Sequence, residues 1–207
     1  MAIEKIVIPF CGYPIYKIST GETLDADELR FLKNLDKTSN HKEGKTKLTE
    51  GVNILNNIEL KRIKYLILEN FFDYVDNVLE IENNFYMCNS WGTTQKKGDF
   101  HPQHNHPNAV FSSVFYVQAS DSSIIFSTDR SKITEGFLIE YKIKKYNLFN
   151  SLSWEVPVSS GDMIIFPGEL HHQSQIHNDD TDRLIIGASY FLSGDLGFDN
   201  NYNSISI

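Results

Sequence analysis

The sequence has little cysteine, with only Cys11 and Cys88 among 207 residues. Two cysteines are too few for the disulfide framework of a small secreted domain. Residues 1–10 lack the apolar run of a signal peptide, and no segment has the roughly 18 uncharged apolar residues of a membrane span. The sequence therefore predicts a cytoplasmic protein with no membrane partner.

Basic residues are also few, since 19 lysines and arginines stand against 27 aspartates and glutamates, for a formal net charge of -8. Nucleic-acid binding starts from clustered Lys and Arg, so we expect no nucleic-acid partner. What is present is a globular composition, with 41% hydrophobic and 13% aromatic residues. The length predicts one full domain with flanking segments.

The N-terminal part predicts short strands followed by helices. Ile3–Ile18 is rich in strand-forming residues, and Asp25 with Glu28 has the spacing of a capping box that begins a helix. Ser39–Glu50 is charged and polar, which predicts a loop. From Asn57 to about Ile81 apolar residues recur at helical spacing, which predicts one long amphipathic helix against the core: Leu60, Ile63, Ile67, Phe71, Val75 and Val78.

From residue 85 onward, short segments rich in β-branched and aromatic residues predict strands. They are Phe85–Trp91, Val110–Val117, Ser123–Ser127, Phe137–Tyr141, Trp154–Val158, Met163–Phe166 and Leu184–Leu192. Helices followed by many strands indicate a mainly β fold, a sandwich or barrel with flanking helices. We expect a single domain over 1–207, with strands and supporting helices in 1–84, the β core in 85–192 and a loose tail in 193–207.

Six of the seven histidines lie in this β-rich part. His104 and His106 are two residues apart, which on a strand places both side chains on one face. His171 and His172 follow an apolar strand and a Pro-Gly turn, which can bring an imidazole to the mouth of a barrel. Two ligands from one segment and a third from a distant strand are typical of non-haem iron sites.

Two segments resemble the small Fe(II)/2-oxoglutarate-dependent oxygenases, and especially a compact group found in bacteria and phages. The first contains Asn89-Ser-Trp91, Gly98-Asp-Phe-His-Pro-Gln-His104-Asn-His106-Pro and Ser112-Ser-Val-Phe-Tyr116. The second is Gly161-Asp-Met-Ile-Ile-Phe-Pro-Gly-Glu-Leu-His-His172, followed by Arg183. The resemblance covers roughly residues 85–192.

The resemblance implies a double-stranded β-helix, the jelly-roll or cupin-like core, in which His104, His106 and His172 ligate Fe(II). It also implies that Arg183 pairs with the distal carboxylate of the cofactor 2-oxoglutarate, and that Tyr116 donates to the same carboxylate. No catalytic side chain is implied beyond the metal ligands. The expected activity is a dioxygenase reaction, such as a hydroxylation, that couples decarboxylation of 2-oxoglutarate to succinate with oxidation of an unknown substrate.

The sequence departs from the family pattern at two positions. His106 stands where most of the wider superfamily has Asp or Glu, which leaves the metal one charge more positive. Ile185 stands where the family often has Ser or Thr after the arginine, so a second contact to the carboxylate is absent from that position. Apart from molecular oxygen, the expected partner is a small molecule or a protein side chain, and a homodimer is compatible with the sequence.

Other functions fit the same residues. The spacing of the two histidine segments also matches metal-binding cupins, so a three-histidine cupin-type dioxygenase or a metal-binding cupin without 2-oxoglutarate is the alternative. A four-ligand cupin would usually add a Glu where this sequence has Val110 and Phe111. A non-enzymatic zinc-binding barrel is a third reading. Under these alternatives Arg183 is a surface ion pair with Asp180 or Asp182, and Tyr116 is a core aromatic.

Overall fold

The computed structural model describes residues 12–39, 44–128, 142–197 and 204–207. Its helices are α1 (Ala26–Asn34) and α2 (Lys61–Asp73), with 3-10 turns at Ile54–Asn56 and Ile58–Leu60 and a π-helical turn at Tyr74–Val78. Its strands are β1 (Tyr16–Ser19), β2 (Lys37–Ser39), β3 (Lys47–Thr49), β4 (Asn84–Gln95), β5 (Phe111–Gln118), β6 (Ser122–Ser127), β7 (Ser153–Val158), β8 (Asp162–Pro167), β9 (His171–Ser174), β10 (Arg183–Ser193), β11 (Asp195–Leu196) and β12 (Ile205–Ser206).

Two antiparallel sheets form a jelly-roll core. The larger sheet has the order β1-β8-β5-β10-β4-β3-β2, and the smaller has the order β7-β6-β9. Val114, Ile164 and Phe166 of the larger sheet pack against Ile124 and Phe126 of the smaller one. The fold is therefore mainly β with flanking helices, as predicted, and the space between the sheets is where a site can form.

The helices cover the outer face of the larger sheet. The predicted capping box is present: the Asp25 carboxylate accepts from the Glu28 amide, and the Glu28 carboxylate accepts from the Asp25 amide, both at 2.9 Å. In α2, Phe71 is fully buried and stacks on Tyr190 of β10, with ring centroids 3.6 Å apart. Most of the predicted helical face is buried, but Val78 is 46% exposed, because the wider π-helical turn moves the inward position to Leu79, which packs against the core.

Sequence patterning located most strands to within one residue, but it missed the short polar ones. Ser39–Glu50 is not simply a loop, because β2 and β3 pair with each other and β3 pairs with β4. Such edge strands have no alternating apolar pattern and depend on the neighbouring strand for their stability. In the tail, β11 pairs with β12. The predicted strand Phe137–Tyr141 lies outside the described residues.

No helix within the described ranges is long and apolar enough to cross a membrane.

Candidate metal centre

Backbone pairing places the two histidine segments side by side. His104 and His106 lie in an extended segment before β5, and not on a continuous strand as predicted. The main chains of His104 and His172 exchange two hydrogen bonds of 3.0 and 2.9 Å, and the His106 amide donates to the Gly168 carbonyl at 2.8 Å. A turn containing Asn108, at a φ of 63°, separates this segment from β5. Main-chain hydrogen bonds therefore bring the two histidine segments, and with them their imidazoles, close to one another.

The imidazoles of His104, His106 and His172 converge between the sheets. Each offers a ring nitrogen, and these atoms all lie within 4.8 Å of one another. The centroid of the His104 ring is 4.3 Å from that of His172 and 5.1 Å from that of His106. One metal ion can contact three nitrogens at this separation, and the all-imidazole set suits Fe(II) or Zn(II).

Hydrogen bonds orient two of these rings for metal binding. His104 Nδ1 lies 2.9 Å from the Pro102 carbonyl, and His172 Nδ1 lies 3.0 Å from the Leu170 carbonyl. Since a carbonyl oxygen only accepts, each Nδ1 carries the proton and each Nε2 keeps its lone pair. This is the tautomer that a metal-binding imidazole requires.

Burial keeps His106 and His172 neutral. Desolvation, and then the nearby His104, lower the pKa of His106 to about 4. The same two causes, with His106 added, hold the pKa of His172 well below its ordinary value. Neutral imidazoles are ready to bind a metal at pH 7 without first losing a proton.

The metal-free protein is expected to lose stability as the pH falls from about 6.5 towards 4. Below the unfolded pKa of about 6.5, the unfolded chain takes up a proton on His106 that the folded chain, with a pKa of about 4, does not. The free energy of unfolding should therefore decrease by up to about 1.4 kcal/mol per pH unit for each such histidine. Urea denaturation at several pH values measures this slope. The slope should become shallower in His106→Gln, and an equal slope in both proteins would contradict the assignment.

Trp91 of β4 packs beside the cluster, with its ring centroid 5.2 Å from that of His106. The indole lies directly over Gly187 of β10, where a side-chain carbon would overlap the ring atoms of Trp91. The glycine is therefore needed for space, and the indole in turn supports the His106 ring.

Gly187→Ala is expected to destabilise the protein by about 1–3 kcal/mol, since an added methyl group overpacks the site. Because Trp91 must move away from His106, metal affinity should fall about tenfold. Gly51→Ala is the matched control, because a side-chain carbon there meets nothing within 4 Å. Denaturation and metal titration of both variants test this, and equal behaviour of the two would refute the packing argument.

A pocket extends from the imidazoles to Arg183. Arg183 begins β10 and is only 2% exposed. Its Nε donates to the Gln95 side-chain oxygen at 2.7 Å, one Nη donates to the Gln175 carbonyl at 2.8 Å, and the other lies 3.4 Å from the Ser122 hydroxyl. These hydrogen bonds hold the Arg183 guanidinium in a fixed orientation.

Arg183 has no carboxylate within 4 Å among the described residues, so its interpretation as a surface ion pair with Asp180 or Asp182 is wrong. Asp180 instead pairs with Lys97 at 2.8 Å. Burial lowers the pKa of Arg183, although a guanidinium stays charged in this situation. A buried cation without an acidic partner is costly, and it makes a strong site for an anion.

Tyr116 of β5 lines the same pocket and is 4% exposed. Burial raises its pKa, so the phenol stays protonated and can donate a hydrogen bond. The predicted carboxylate-binding pair, Arg183 and Tyr116, is thus brought into one pocket with the three predicted ligands.

Sequence reasoning missed three pocket residues on β4: Trp91, Thr93 and Gln95. Gln95 is buried, and its amide nitrogen donates to Thr46 at 2.9 Å and Ser174 at 3.0 Å while its oxygen accepts from Arg183. The period-two spacing of these residues is the signal that could have found them.

The other histidines that the structure describes, His101, His171 and His177, are outside the three-imidazole group. His101 stacks on His104, with centroids 4.2 Å apart, and lines the pocket. His171 precedes His172 on β9 and is half-buried. His177 is 1% exposed and its Nε2 donates to the Thr181 carbonyl at 2.6 Å, which supports the turn before Arg183.

Comparison with known proteins places these features in context. Residues 89–188 match the family model described as "Putative 2OG-Fe(II) oxygenase". No curated protein matches the sequence.

Several solved structures share the fold at low sequence identity. HygX from Streptomyces hygroscopicus, solved with nickel and 2-oxoglutarate, is 14% identical, with a TM-score of 0.58 over 85% of this chain and 82% of HygX. A Pseudomonas putida prolyl-4-hydroxylase is 11% identical, with a TM-score of 0.57 over 88% of this chain and 94% of the other. The epimerase SnoN from nogalamycin biosynthesis is 12% identical, with a TM-score of 0.60 over 91% and 82% of the two chains.

Proposed function

Residues 89–188 of this chain belong to the 2OG-Fe(II) oxygenase family, and from that premise we propose how its residues hold the two cofactors. His104, His106 and His172 hold Fe(II). Arg183 and Tyr116 hold the distal carboxylate of 2-oxoglutarate. The chain is an Fe(II)- and 2-oxoglutarate-dependent oxygenase, and these five side chains are its proposed cofactor-binding set.

One observation carries this assignment of roles: a buried arginine, with no carboxylate within 4 Å among the described residues, lines the same pocket as the three imidazoles. A cofactor with a carboxylate at one end and a metal-chelating oxo acid at the other matches both ends of the pocket. When bound, Fe(II) and 2-oxoglutarate supply oxidation of a substrate C–H bond by O₂, with release of succinate and carbon dioxide.

The side chains of the pocket bind and orient the two cofactors, and none is needed as a general base. Gln95 holds the Arg183 guanidinium at its Nε, which leaves other N–H groups of the fork for an anion. Val114, Ile124 and Ile185 line the pocket with apolar surface and limit the access of water. Low polarity around the pocket strengthens each of these charged contacts.

The all-histidine set also fits a dianionic cofactor. Three neutral imidazoles leave the charge of a divalent ion uncompensated, whereas a carboxylate ligand at position 106 would cancel part of it. The metal-chelating carboxylate of 2-oxoglutarate then cancels part of the charge of the metal, and the distal carboxylate pairs with the buried Arg183. His106 is therefore compatible with 2-oxoglutarate binding, in spite of its departure from the wider superfamily.

The substrate class stays open between a small molecule and a protein side chain. The structural neighbours include a HygX complex with hygromycin B and a prolyl-4-hydroxylase, so they favour neither class. A cytoplasmic location, a homodimer and the absence of a nucleic-acid partner remain predictions from the sequence.

The experiment that tests the proposed function is a decarboxylation assay with the purified protein, Fe(II), O₂ and 2-oxoglutarate. We expect slow, iron-dependent formation of succinate without added substrate, and acceleration by the correct substrate. A three-histidine cupin-type dioxygenase would consume O₂ with its own substrate and form no succinate from 2-oxoglutarate. Iron-loaded protein that forms none would therefore favour the cupin alternative.

A further inference from the structure

Thr93 of β4 carries a buried hydroxyl beside the pocket. The residue is 3% exposed and lines the pocket between the imidazoles and Arg183. Its Oγ1 is buried and makes no hydrogen bond with any described residue. Burial of a hydroxyl without a partner is unfavourable, so such a group inside a ligand pocket indicates a partner supplied by the ligand.

Strand register places this hydroxyl beside the carboxylate-binding residues. On β10, Ile185 lies opposite Thr93 on one side and opposite Tyr116 on the other. Thr93, Ile185 and Tyr116 thus form one row across the sheet. Arg183 and its partner Gln95 form the row two residues earlier on β10. Directly opposed side chains on neighbouring antiparallel strands begin about 5 Å apart.

We propose that Thr93 is a further 2-oxoglutarate-binding residue, whose hydroxyl donates a hydrogen bond to the distal carboxylate. This inference rests on the proposed function. Ile185 of β10 has no hydroxyl, although the family often has Ser or Thr at this position. Thr93 lies directly opposite Ile185 on the neighbouring strand β4 and supplies a hydroxyl there. The carboxylate can accept about four hydrogen bonds, and Arg183 already donates to protein acceptors from its Nε and from each Nη.

The same hydroxyl contributes to selectivity. A 2-oxo acid without the distal carboxylate leaves Thr93 and the Arg183 fork without an acceptor. A site built from buried donors rejects such an analogue strongly. Thr93 therefore helps the pocket to distinguish 2-oxoglutarate from pyruvate.

Thr93→Val tests the proposal because it removes the hydroxyl and keeps the shape. Anaerobic titration of the Fe(II)-loaded protein with 2-oxoglutarate should show a dissociation constant raised about tenfold or more. The melting temperature of the metal-free variant should stay unchanged or rise, because an unpartnered buried hydroxyl is lost. Thr93→Ser keeps the hydroxyl and should retain most of the affinity. Thr93→Val combined with Ile185→Thr should recover part of the loss.

Thr49→Val is the matched control. The Thr49 hydroxyl donates to the Gly51 carbonyl and accepts from the Gly92 amide, so this variant should melt at a lower temperature with unchanged 2-oxoglutarate affinity. If Thr93→Val binds 2-oxoglutarate as tightly as the wild type, the hydroxyl serves only a water molecule and the proposal is wrong. If the iron-loaded wild type itself binds no 2-oxoglutarate, the proposed function fails first.

Discussion

Replacement of Arg183 by methionine is expected to weaken 2-oxoglutarate binding by more than about a hundredfold. Methionine has a similar length but no charge and no donor, so the distal carboxylate would lose its buried cationic partner. Arg183→Lys keeps the charge without the planar fork and should give an intermediate loss. Calorimetric titration of the metal-loaded protein under anaerobic conditions measures all three affinities.

Metal affinity separates this effect from general damage to the fold. Arg183 belongs to the opposite end of the pocket from the imidazoles, so Arg183→Met should bind Fe(II) within about threefold of the wild type. Arg30→Met is the matched control, because Arg30 is exposed and pairs with Asp27 on the surface of α1. Wild-type affinity for 2-oxoglutarate in Arg183→Met would rule out the proposed role.

Replacement of His172 by glutamine is expected to abolish turnover and to reduce Fe(II) affinity by more than about 100-fold. A loss of up to roughly 100-fold is typical when a residue that only hydrogen-bonds to a metal ligand is replaced, and loss of a ligand should cost more. His172 is the most buried of the three imidazoles, and its Nδ1 is already committed to the Leu170 carbonyl. Glutamine keeps a polar side chain against Phe166, whose ring lies 4.6 Å from the imidazole. Metal titration and circular dichroism together distinguish loss of the site from loss of the fold.

His171→Gln is a control of unusual value because the two histidines are adjacent on β9. Successive strand residues point to opposite faces, and only His172 belongs to the three-imidazole group. His171→Gln should therefore bind Fe(II) like the wild type. If it loses the metal while His172→Gln keeps it, the ligand assignment at this strand is wrong by one residue.

The candidate site was largely predictable because its signals are local. The close spacing of His104 and His106, the run that ends before His172, and the later Arg183 can all be found without knowledge of the fold. The mainly β fold followed from the density of short β-rich segments after residue 85, and the jelly-roll core followed from the resemblance to the oxygenase family. The capping box at Asp25 also needed only a few neighbouring residues.

What the sequence did not reveal depends on contacts between distant segments. The short strands β2 and β3 form because β3 pairs with β4 and β2 pairs with β3. Val78 is exposed because a π-helical turn rotates the end of α2. The pairing of His104 with His172, and not a continuous strand, brings the imidazoles together. Likewise, Thr93 and Gln95 become pocket residues only through their register with β10.

The measurement that tests the central claim most directly is an anaerobic titration of the metal-free protein, first with Fe(II) and then with 2-oxoglutarate. Binding of one Fe(II), followed by the weak visible charge-transfer band of a chelated 2-oxo acid, is the predicted result. That band should appear in the wild type, and it should need at least about a hundredfold more 2-oxoglutarate in Arg183→Met. Iron binding without any band at saturating 2-oxoglutarate would contradict the account and favour a three-histidine cupin.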